Sequence, residues 1–292
     1  MYRALADAIA DAEARGTTLS TVALELEAQD QGRSVDDIRR SLARALVVMR
    51  GAVEAGMTGE MRSNSGLVGG DAAKLRNSRE GPLLGTPFHD ILARALAVQE
   101  VNAAMGVIVA APTAGGAGVL PAVLTGLASA RAITDDTVIA ALATAGLIGA
   151  VIAERASLSG AEGGCQAETG AAAGMAAGAA TEMLGGTPAQ AGHATALAMQ
   201  GTLGLVCDPL GGLVELPCVF RNATGAAIAL SAIEMALAGI EFVIPVDEVI
   251  DVMGEIGREM DVRYRETAGG GLAATPTGRR LARERLYHIK RA

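Results

Sequence analysis

Small side chains dominate the apolar half of this chain, and this feature limits its fold more than any other. Half of the 292 residues are hydrophobic, yet the chain has no Trp, three Phe and three Tyr against 38 Gly. Without large aromatic side chains to fill a core, the backbones of packed elements must approach one another closely. The hydrophobic content excludes an intrinsically disordered chain and predicts a densely packed one.

The apolar residues recur at helical spacing, and no run of alternating β-branched residues predicts a sheet. Thr-Pro pairs at residues 86–87, 187–188 and 275–276 suit helix starts, because Thr can cap and Pro can occupy the first position. Ser34 and Asp37 form a further start. The predicted fold class is all-α. The predicted helices cover residues 1–15, 19–30, 35–55, 87–108, 119–131, 135–153, 165–183, 188–203, 217–239, 246–259 and 276–289.

The amino-terminal part of the chain is more charged than the rest. Residues 1–56 are predicted to form an amphipathic helical subregion, punctuated by Gly16 and Gly32 and closed by Gly56. Residues 57–292 are predicted to form an Ala/Gly-rich helical domain that carries the chemistry. No Pro/Ser-rich linker separates the two parts, so we expect one continuous domain.

Charge and cysteine content exclude several classes of protein. With 24 Lys and Arg against 32 Asp and Glu, the formal net charge is −8, which argues against a nucleic-acid partner. Three cysteines do not build a disulfide framework, and the first fifteen residues lack a cationic leader and a continuous apolar core. We therefore expect a reduced, cytoplasmic protein.

Two stretches without charged residues, 101–130 and 137–153, are long enough to be considered as membrane spans. Pro and Gly interrupt the first stretch, and the second consists largely of Ala, Gly and Thr. Neither has Trp or Tyr at a membrane interface. These features favour buried helices of a helical core over a membrane protein.

Each of the three cysteines, Cys165, Cys207 and Cys218, lies beside a predicted helix end or turn. Helix amino termini stabilise thiolates, and cysteines from separate turns can converge on one metal centre with an open fourth position. Spacing alone favours three buried thiols acting as small apolar residues, since no C-x-x-C pair is present. Both interpretations stay open at this point.

Seven stretches that include all three cysteines are the most distinctive parts of the sequence. They are residues 63–71 (SNSGLVGGD), 100–106 (EVNAAMG), 112–115 (PTAG), 157–168 (SLSGAEGGCQAE), 204–209 (GLVCDP), 214–222 (VELPCVFRN) and 270–278 (GGLAATPTG). Together, and in this order, they resemble the alpha chain of bacterial iron–sulfur-dependent L-serine dehydratase. The resemblance covers nearly the whole chain.

The resemblance implies a [4Fe–4S] cluster held by Cys165, Cys207 and Cys218, with one iron free for substrate. It implies a carbon–oxygen lyase, an L-serine ammonia-lyase. The enzyme eliminates water from L-serine to give pyruvate and ammonia, with the cluster as Lewis acid. It also implies a beta chain as partner in an oligomer, because the Ser-Ser-Ser-His-Thr motif of the full enzyme is absent from these residues.

Further residues in these stretches are candidates for substrate binding. Arg221 follows Cys218 by one helical turn and is predicted to pair with the substrate carboxylate, with a helix-surface arginine as the alternative. Asn222, Asn102 and Thr113 are predicted either to orient substrate or to satisfy backbone groups at helix ends.

Ser63 and Ser65 lie in a glycine-rich loop that could close over substrate, with an ordinary surface loop as the alternative. Lys74 is the second candidate for the carboxylate. It is also the candidate Schiff-base lysine for a pyridoxal phosphate enzyme, since Lys290 is two residues from the end. The loop before Lys74 does not follow a strand, so that cofactor is disfavoured.

Three alternatives remain open at this point. The same elimination could act on threonine or cysteine, a single zinc ion could use three thiolates and a water, and a non-enzymatic helical membrane or interaction protein is a different class altogether. The three histidines, His89, His193 and His288, show no triad or metal spacing. The general base is therefore left unassigned.

Overall fold

The computed structural model describes residues 2–79 and 81–286, and in this part of the chain the all-α prediction is confirmed. It contains thirteen α-helices and no β-strand. The helices are α1 (Leu5–Ala14), α2 (Leu19–Gln31), α3 (Val35–Met57), α4 (Asp71–Arg76), α5 (Thr86–Ala103), α6 (Val119–Arg131), α7 (Asp135–Arg155), α8 (Gly160–Gly163), α9 (Ala171–Met183), α10 (Pro188–Gln200), α11 (Cys218–Leu237), α12 (Val246–Glu259) and α13 (Pro276–Leu281).

The observed helix ends lie within a few residues of most predicted ones, and the differences have local causes. Gly56 does not close α3, which runs to Met57. Gly56 lies against α5, where a Cβ atom would overlap the backbone of Ala97. The short helix α4 lacks a predicted counterpart. The helix predicted over 276–289 extends beyond the described residues, and α13 is followed there by a π-helical turn, Ala282–Leu286.

Side-chain caps fix several of these helix starts. Ser34 and Asp37 form a reciprocal capping box, with Ser34 Oγ accepting from the Asp37 amide at 3.1 Å. Thr187 and Thr275 cap the helices that follow them, each with Pro at the first position. Thr86 differs, because it lies inside α5 after Gly85 and makes no capping bond.

Helix α9 lies at the centre of the core and packs against α6, α7, α10 and α11. It is buried over almost its whole length, and its side chains are chiefly Ala and Gly. A Cβ atom at Gly174 would lie 2.7 Å from Cγ of Met199, and one at Gly178 would lie 2.5 Å from Cδ1 of Ile148. The small residues therefore let neighbouring helices touch the α9 backbone, as the composition predicted.

Two carboxylates of core helices cap the helices of the amino-terminal region. Asp247 in α12 accepts hydrogen bonds from the first two amides of α1, at 2.8 and 3.0 Å. Glu182 in α9 accepts from the first two amides of α2, at 2.7 and 3.0 Å, and from the Thr144 hydroxyl at 2.9 Å. Negative groups at helix amino termini satisfy free amides and complement the helix dipole. The boundary predicted at residue 56 stays a prediction, and the two caps tie the region before it to the core.

Among the described residues one helix, α7, is long and apolar enough to cross a membrane by length and composition alone. Within its most apolar stretch, 67% of the residues are buried inside the fold. This burial is typical of a core helix, as the sequence predicted for residues 137–153.

The Glu182 cap gives a test of how the amino-terminal region is held. We expect Glu182→Ala to lower the free energy of unfolding by about 1–2 kcal/mol, because two amides of α2 lose their acceptor. Urea denaturation followed by circular dichroism measures the change. The control is Glu234→Ala, which removes an exposed glutamate from α11. Equal stability of both variants would show that the cap contributes nothing.

Candidate functional site

Three separate segments bring the cysteines to one buried place. Cys165 directly precedes a π-helical turn, Gln166–Gly170, that leads into α9. Cys207 lies in the connection between α10 and α11, and Cys218 is the first residue of α11. The three residues are 2%, 1% and 3% exposed, and none forms a disulfide.

The three thiols differ in their proton affinity because each has different neighbours. A hydrogen bond with the Cys207 thiol is the largest cause of a lowered pKa at Cys165, and the Thr169 hydroxyl at 3.2 Å and the Arg221 guanidinium add to it. The same hydrogen bond raises the pKa of Cys207. Burial raises the pKa of Cys218. Among the three thiols, Cys165 is the one whose neighbours lower its pKa.

A short stretch of backbone pairing fixes the position of Cys207. Its amide donates to the Tyr264 carbonyl at 2.8 Å, and its carbonyl accepts from the Glu266 amide at 2.9 Å. These bonds form a parallel bridge between Cys207 and Arg265. The segment after α12 thus holds the loop that carries the second thiol.

Arg221 lies one turn after Cys218, as predicted, but its guanidinium already has protein partners. Nη2 lies 2.8 Å from Oδ1 of Asp208, and Nη1 donates to the Val206 carbonyl at 2.9 Å. Asp208 in turn accepts from the Leu272 amide at 2.6 Å. These contacts favour a positioning role, in which Arg221 holds the turn around Cys207. The predicted pairing of Arg221 with a substrate carboxylate stays a prediction.

Glu168 is a buried carboxyl group beside the thiols that the sequence analysis did not single out. It accepts from the Thr113 hydroxyl at 2.7 Å, and the Cys207 thiol lies 3.9 Å from Oε2. Burial raises the pKa of Glu168 to about 7. An ionisable residue three positions after Cys165, in a helical segment made largely of Ala and Gly, was the available signal. Thr113, a predicted substrate residue, reaches the site through this bond.

Two glycines leave the space that Glu168 occupies. A Cβ atom at Gly115 would lie 2.7 Å from Oε1 of Glu168. One at Gly160 would lie 2.5 Å from Oε2 and 3.2 Å from Sγ of Cys207. The glycines of the 112–115 and 157–168 motifs thus permit the carboxyl group and the thiol to pack against backbone.

The two predicted asparagines satisfy backbone groups around the site. Asn222 is fully buried, donates to the carbonyls of Gly115 and Cys218 at 2.7 and 2.9 Å, and accepts from the Gly118 amide at 2.9 Å. Asn102 donates to the Ala114 carbonyl at 3.1 Å. Both side chains hold the loop that carries Thr113. This favours the second of their two predicted roles, the satisfaction of backbone groups, over orientation of the substrate.

The glycine-rich loop of residues 63–71, which carries Ser63 and Ser65 and is called the serine loop below, lies against the segment that leads to Cys218. Ser65 donates to the carboxylate of Glu215, and Ser63 Oγ accepts from the Val68 amide at 3.3 Å. Both serines are buried, at 6% and 5% exposure. The loop is therefore packed against the segment before Cys218 instead of being an open surface loop.

Lys74 and the histidines do not join this group. Lys74 is exposed and pairs with Asp71 at 2.7 Å. His89 Nε2 lies 2.7 Å from the Leu75 carbonyl oxygen, and His193 Nδ1 accepts from the Phe242 amide at 3.3 Å. His288 and Lys290 lie outside the described residues. The general base stays unassigned.

Three buried thiols are soft donors of the kind that zinc ions and iron–sulfur clusters accept. Within residues 2–79 and 81–286, no group of three or more His, Cys, Asp or Glu side chains is arranged to hold one metal ion. In a cluster each thiolate binds a different iron, so its ligands need not meet at one point. Three buried soft donors from three segments, with a guanidinium beside them, fit this requirement.

The fold and the site define a class: an all-helical protein with a buried site of three thiols, a carboxyl group and an arginine. Residues 14–273 match the profile of the family described as serine dehydratase alpha chain. The chain belongs to this family.

Individual relatives agree with the assignment. The "Probable L-serine dehydratase, alpha chain" of Bacillus subtilis is 48% identical over 97% of this chain and 95% of the relative. The "L-serine dehydratase, alpha chain" of Peptoniphilus asaccharolyticus is 40% identical over 93% of this chain and 94% of the relative. The "L-serine dehydratase" of Streptomyces coelicolor is 44% identical over 89% of this chain, but over 58% of its own length.

Glu100 anchors the end of the serine loop and carries an electrostatic cost. Its Oε1 accepts from the Asp71 and Ala72 amides at 2.6 and 3.2 Å, while Oε2 is buried and has no hydrogen-bond partner among the described residues. Burial raises the pKa of Glu100. The folded state therefore holds this proton more tightly than the unfolded state does.

We expect the stability of the wild type to fall relative to Glu100→Gln as pH rises. Below the pKa of Glu100 in the unfolded state, Glu100 is protonated in both states, so its ionisation does not change the free energy of unfolding. Above that pKa Glu100 ionises first in the unfolded state, which lowers the free energy of unfolding. The loss is complete once pH passes the raised pKa of the folded state. Urea unfolding of both proteins between pH 4 and 8 measures it, and a constant difference across this range would contradict the assignment.

The packing around Gly160 gives a second test. We expect Gly160→Ala to displace the Glu168 carboxyl group and the Cys207 thiol, lowering stability by about 1–3 kcal/mol, the usual cost of overpacking. The rate at which a thiol reagent labels the folded protein should rise as well. Gly146→Ala in α7 is the matched control, because nothing lies within 4 Å of a Cβ atom there. Unchanged labelling of Gly160→Ala would rule out this packing.

Proposed function

We propose that this chain is the cluster-bearing alpha subunit of an L-serine ammonia-lyase, which converts L-serine to pyruvate and ammonia. The observation that carries the proposal is that Cys165, Cys207 and Cys218, from three segments of a serine dehydratase alpha chain, lie close enough to shift one another's pKa values. Relatives that match over almost their full length carry the name L-serine dehydratase, alpha chain. We further propose a cytoplasmic location.

The three cysteines would hold a [4Fe–4S] cluster and leave one of its irons without a ligand from them. When bound, this group supplies a Lewis acid for the departing hydroxyl group of serine. The thiols must be deprotonated to serve as ligands. Arg221 assists this at Cys165 by its positive charge, and it holds the Cys207 turn through Asp208 and Val206.

The surrounding residues give the site its shape and keep water out. Glu168 and Thr113 form one wall, and the packed serine loop covers the segment before Cys218. Exclusion of bulk water strengthens the electrostatic interactions of a bound amino acid. Removal of the α-proton of serine needs a base, which we do not assign to a residue of this chain.

A beta chain is proposed as the partner. The Bacillus and Peptoniphilus relatives are themselves named alpha chains. The chain spans 58% of the Streptomyces protein, so that relative has a further region outside the matched part. We propose that the beta chain completes the site in an oligomer, and that the isolated alpha chain is nearly inactive.

The test is anaerobic coexpression with a beta chain from the same genome, followed by iron and sulfide analysis and a pyruvate assay. We expect iron and sulfide without zinc, and pyruvate from L-serine in preference to L-threonine or L-cysteine. A higher activity with L-threonine or L-cysteine would show that this amino acid, and not L-serine, is the substrate. Zinc in place of iron, or full turnover by the alpha chain alone, would contradict the proposal.

The role of the thiols is tested with Cys207→Ser. We expect loss of iron and a fall in activity of about 100-fold or more, because even changes behind the ligands commonly cost 10- to 100-fold. Ala194→Ser in α10 is the control, since it places a hydroxyl at a fully buried position outside the thiol site. Normal iron content in Cys207→Ser would remove this residue from the ligand set.

A further inference from the structure

We propose that Cys165 and Cys207 form a disulfide within the cluster-free chain when it meets hydrogen peroxide, and that Cys218 stays a free thiol. This covalent modification blocks loading of a cluster until a reductant removes it. The disulfide itself does not depend on the proposed function, whereas its effect on cluster loading rests on that function.

Two hydrogen bonds hold the segments of Cys165 and Cys207 side by side. The Gln166 amide donates to the Leu205 carbonyl at 3.0 Å. The Gly204 amide donates to Oε1 of Gln166 at 2.9 Å. The residue directly after Cys165 is thus anchored to the residues that lead into Cys207.

The sulfur atoms of these two cysteines contact each other and the same turn of helix. The two thiols share a hydrogen bond. Sγ of Cys165 lies 3.2 Å from Oγ1 of Thr169, and Sγ of Cys207 lies 3.9 Å from Oε2 of Glu168. Glu168 and Thr169 are adjacent residues of the π-helical turn after Cys165. A disulfide needs side chains that already point toward each other, and this pair meets the requirement.

Cys218 is less suited to pair with either sulfur. Among the described residues its thiol shares no hydrogen bond with the other two thiols. It is the first residue of α11, and its carbonyl accepts from the buried Asn222 side chain at 2.9 Å. Asn222 also bonds to Gly115 and Gly118 in the segment before α6. A link to Cys218 would therefore disturb the start of α11 and the contacts of Asn222.

The oxidation balances with hydrogen peroxide as the oxidant. The sulfur of one cysteine attacks the O–O bond, becomes a sulfenic acid and releases a water molecule. The thiol of the other cysteine then attacks this sulfur, forms the S–S bond and releases a second water molecule. Two electrons pass from the sulfur atoms to the peroxide, and both thiol protons end in water.

The burial of the thiols selects both the oxidant and the second reactant. Cys165 and Cys207 are 2% and 1% exposed, so a molecule as large as glutathione does not reach them in the folded chain. Hydrogen peroxide is close in size to water and enters during small local openings. The sulfenic acid then meets the neighbouring thiol before it meets a thiol from outside. The product is therefore a link within one chain.

The disulfide takes two of the three proposed cluster ligands out of use. A cysteine binds iron as a free thiolate, which a disulfide cannot supply. Thiol–disulfide exchange returns both ligands. The cluster-free chain is thereby kept from loading under oxidising conditions and regains its ligands under reducing ones.

The experiment treats the alpha chain, freed of iron by a chelator, with hydrogen peroxide in the presence of glutathione. Free thiols are then blocked in denaturant, and the chain is cleaved after glutamate, because Glu168 and Glu215 separate the three cysteines into different peptides. We expect mass spectrometry to find a Cys165–Cys207 link and a blocked Cys218. A link that includes Cys218, a link between two chains, a glutathione adduct or three blocked thiols would overturn the proposal.

Three matched variants test the choice of the pair. Cys218→Ser should form the same link as the wild type, whereas Cys165→Ser and Cys207→Ser should leave both of their remaining thiols free. The circular dichroism spectrum of the wild type should be the same before and after treatment. Loss of the helical signal on oxidation would contradict the proposal, because the link would then require unfolding.

A second measurement follows iron uptake and separates this inference from the proposed function. Oxidised chain, with and without prior reduction by a phosphine, is incubated anaerobically with ferrous iron and sulfide in the absence of added thiol. We expect iron to bind only in step with the return of free thiols. Iron uptake by chains that keep the link would overturn the block on loading. A fully reduced chain that binds no iron would contradict the proposed function, while the mapped link would still support the disulfide.

Discussion

Close contact between helix backbones around α9 is the constraint on which the rest of this structure depends. The interior has few large side chains, so stability must come from many short contacts between Ala, Gly and aliphatic residues. Such packing leaves little freedom for an element to shift. The turn that carries Cys165 runs directly into α9, and Cys218 opens α11, which packs on α9. The core thereby sets the positions of two thiols.

The site concentrates charged groups in a place where charge is costly. Glu168 is buried, and the Arg221–Asp208 pair lies close to the thiols with side chains 17% and 3% exposed. Removing such groups from water is unfavourable unless partners or a ligand compensate. In this chain the compensation is shared among Thr113, Val206 and the Leu272 amide. Perturbed ionisable groups of this kind are typical of functional sites.

Sequence reasoning succeeded where structure is determined locally. The Ser34–Asp37 capping box, the Thr187 and Thr275 caps and the ends of most longer helices follow from residues a few positions apart, whereas Thr86 does not cap its helix. The three cysteines could be identified from the sequence because they lie in distinctive motifs. Sequence reasoning missed contacts between distant segments, such as Asp247 on α1 and Glu182 on α2.

The pairing of Cys207 with residues 264–266 also sets an order of events during synthesis. The ribosome translates all three cysteines before residues 264–272. This later segment bonds to the backbone of Cys207, and its Leu272 amide donates to the Asp208 carboxylate. A chain emerging from the ribosome thus exposes three thiols before their loop is fixed. The thiol site is therefore fixed only after the residues up to Leu272 have been translated.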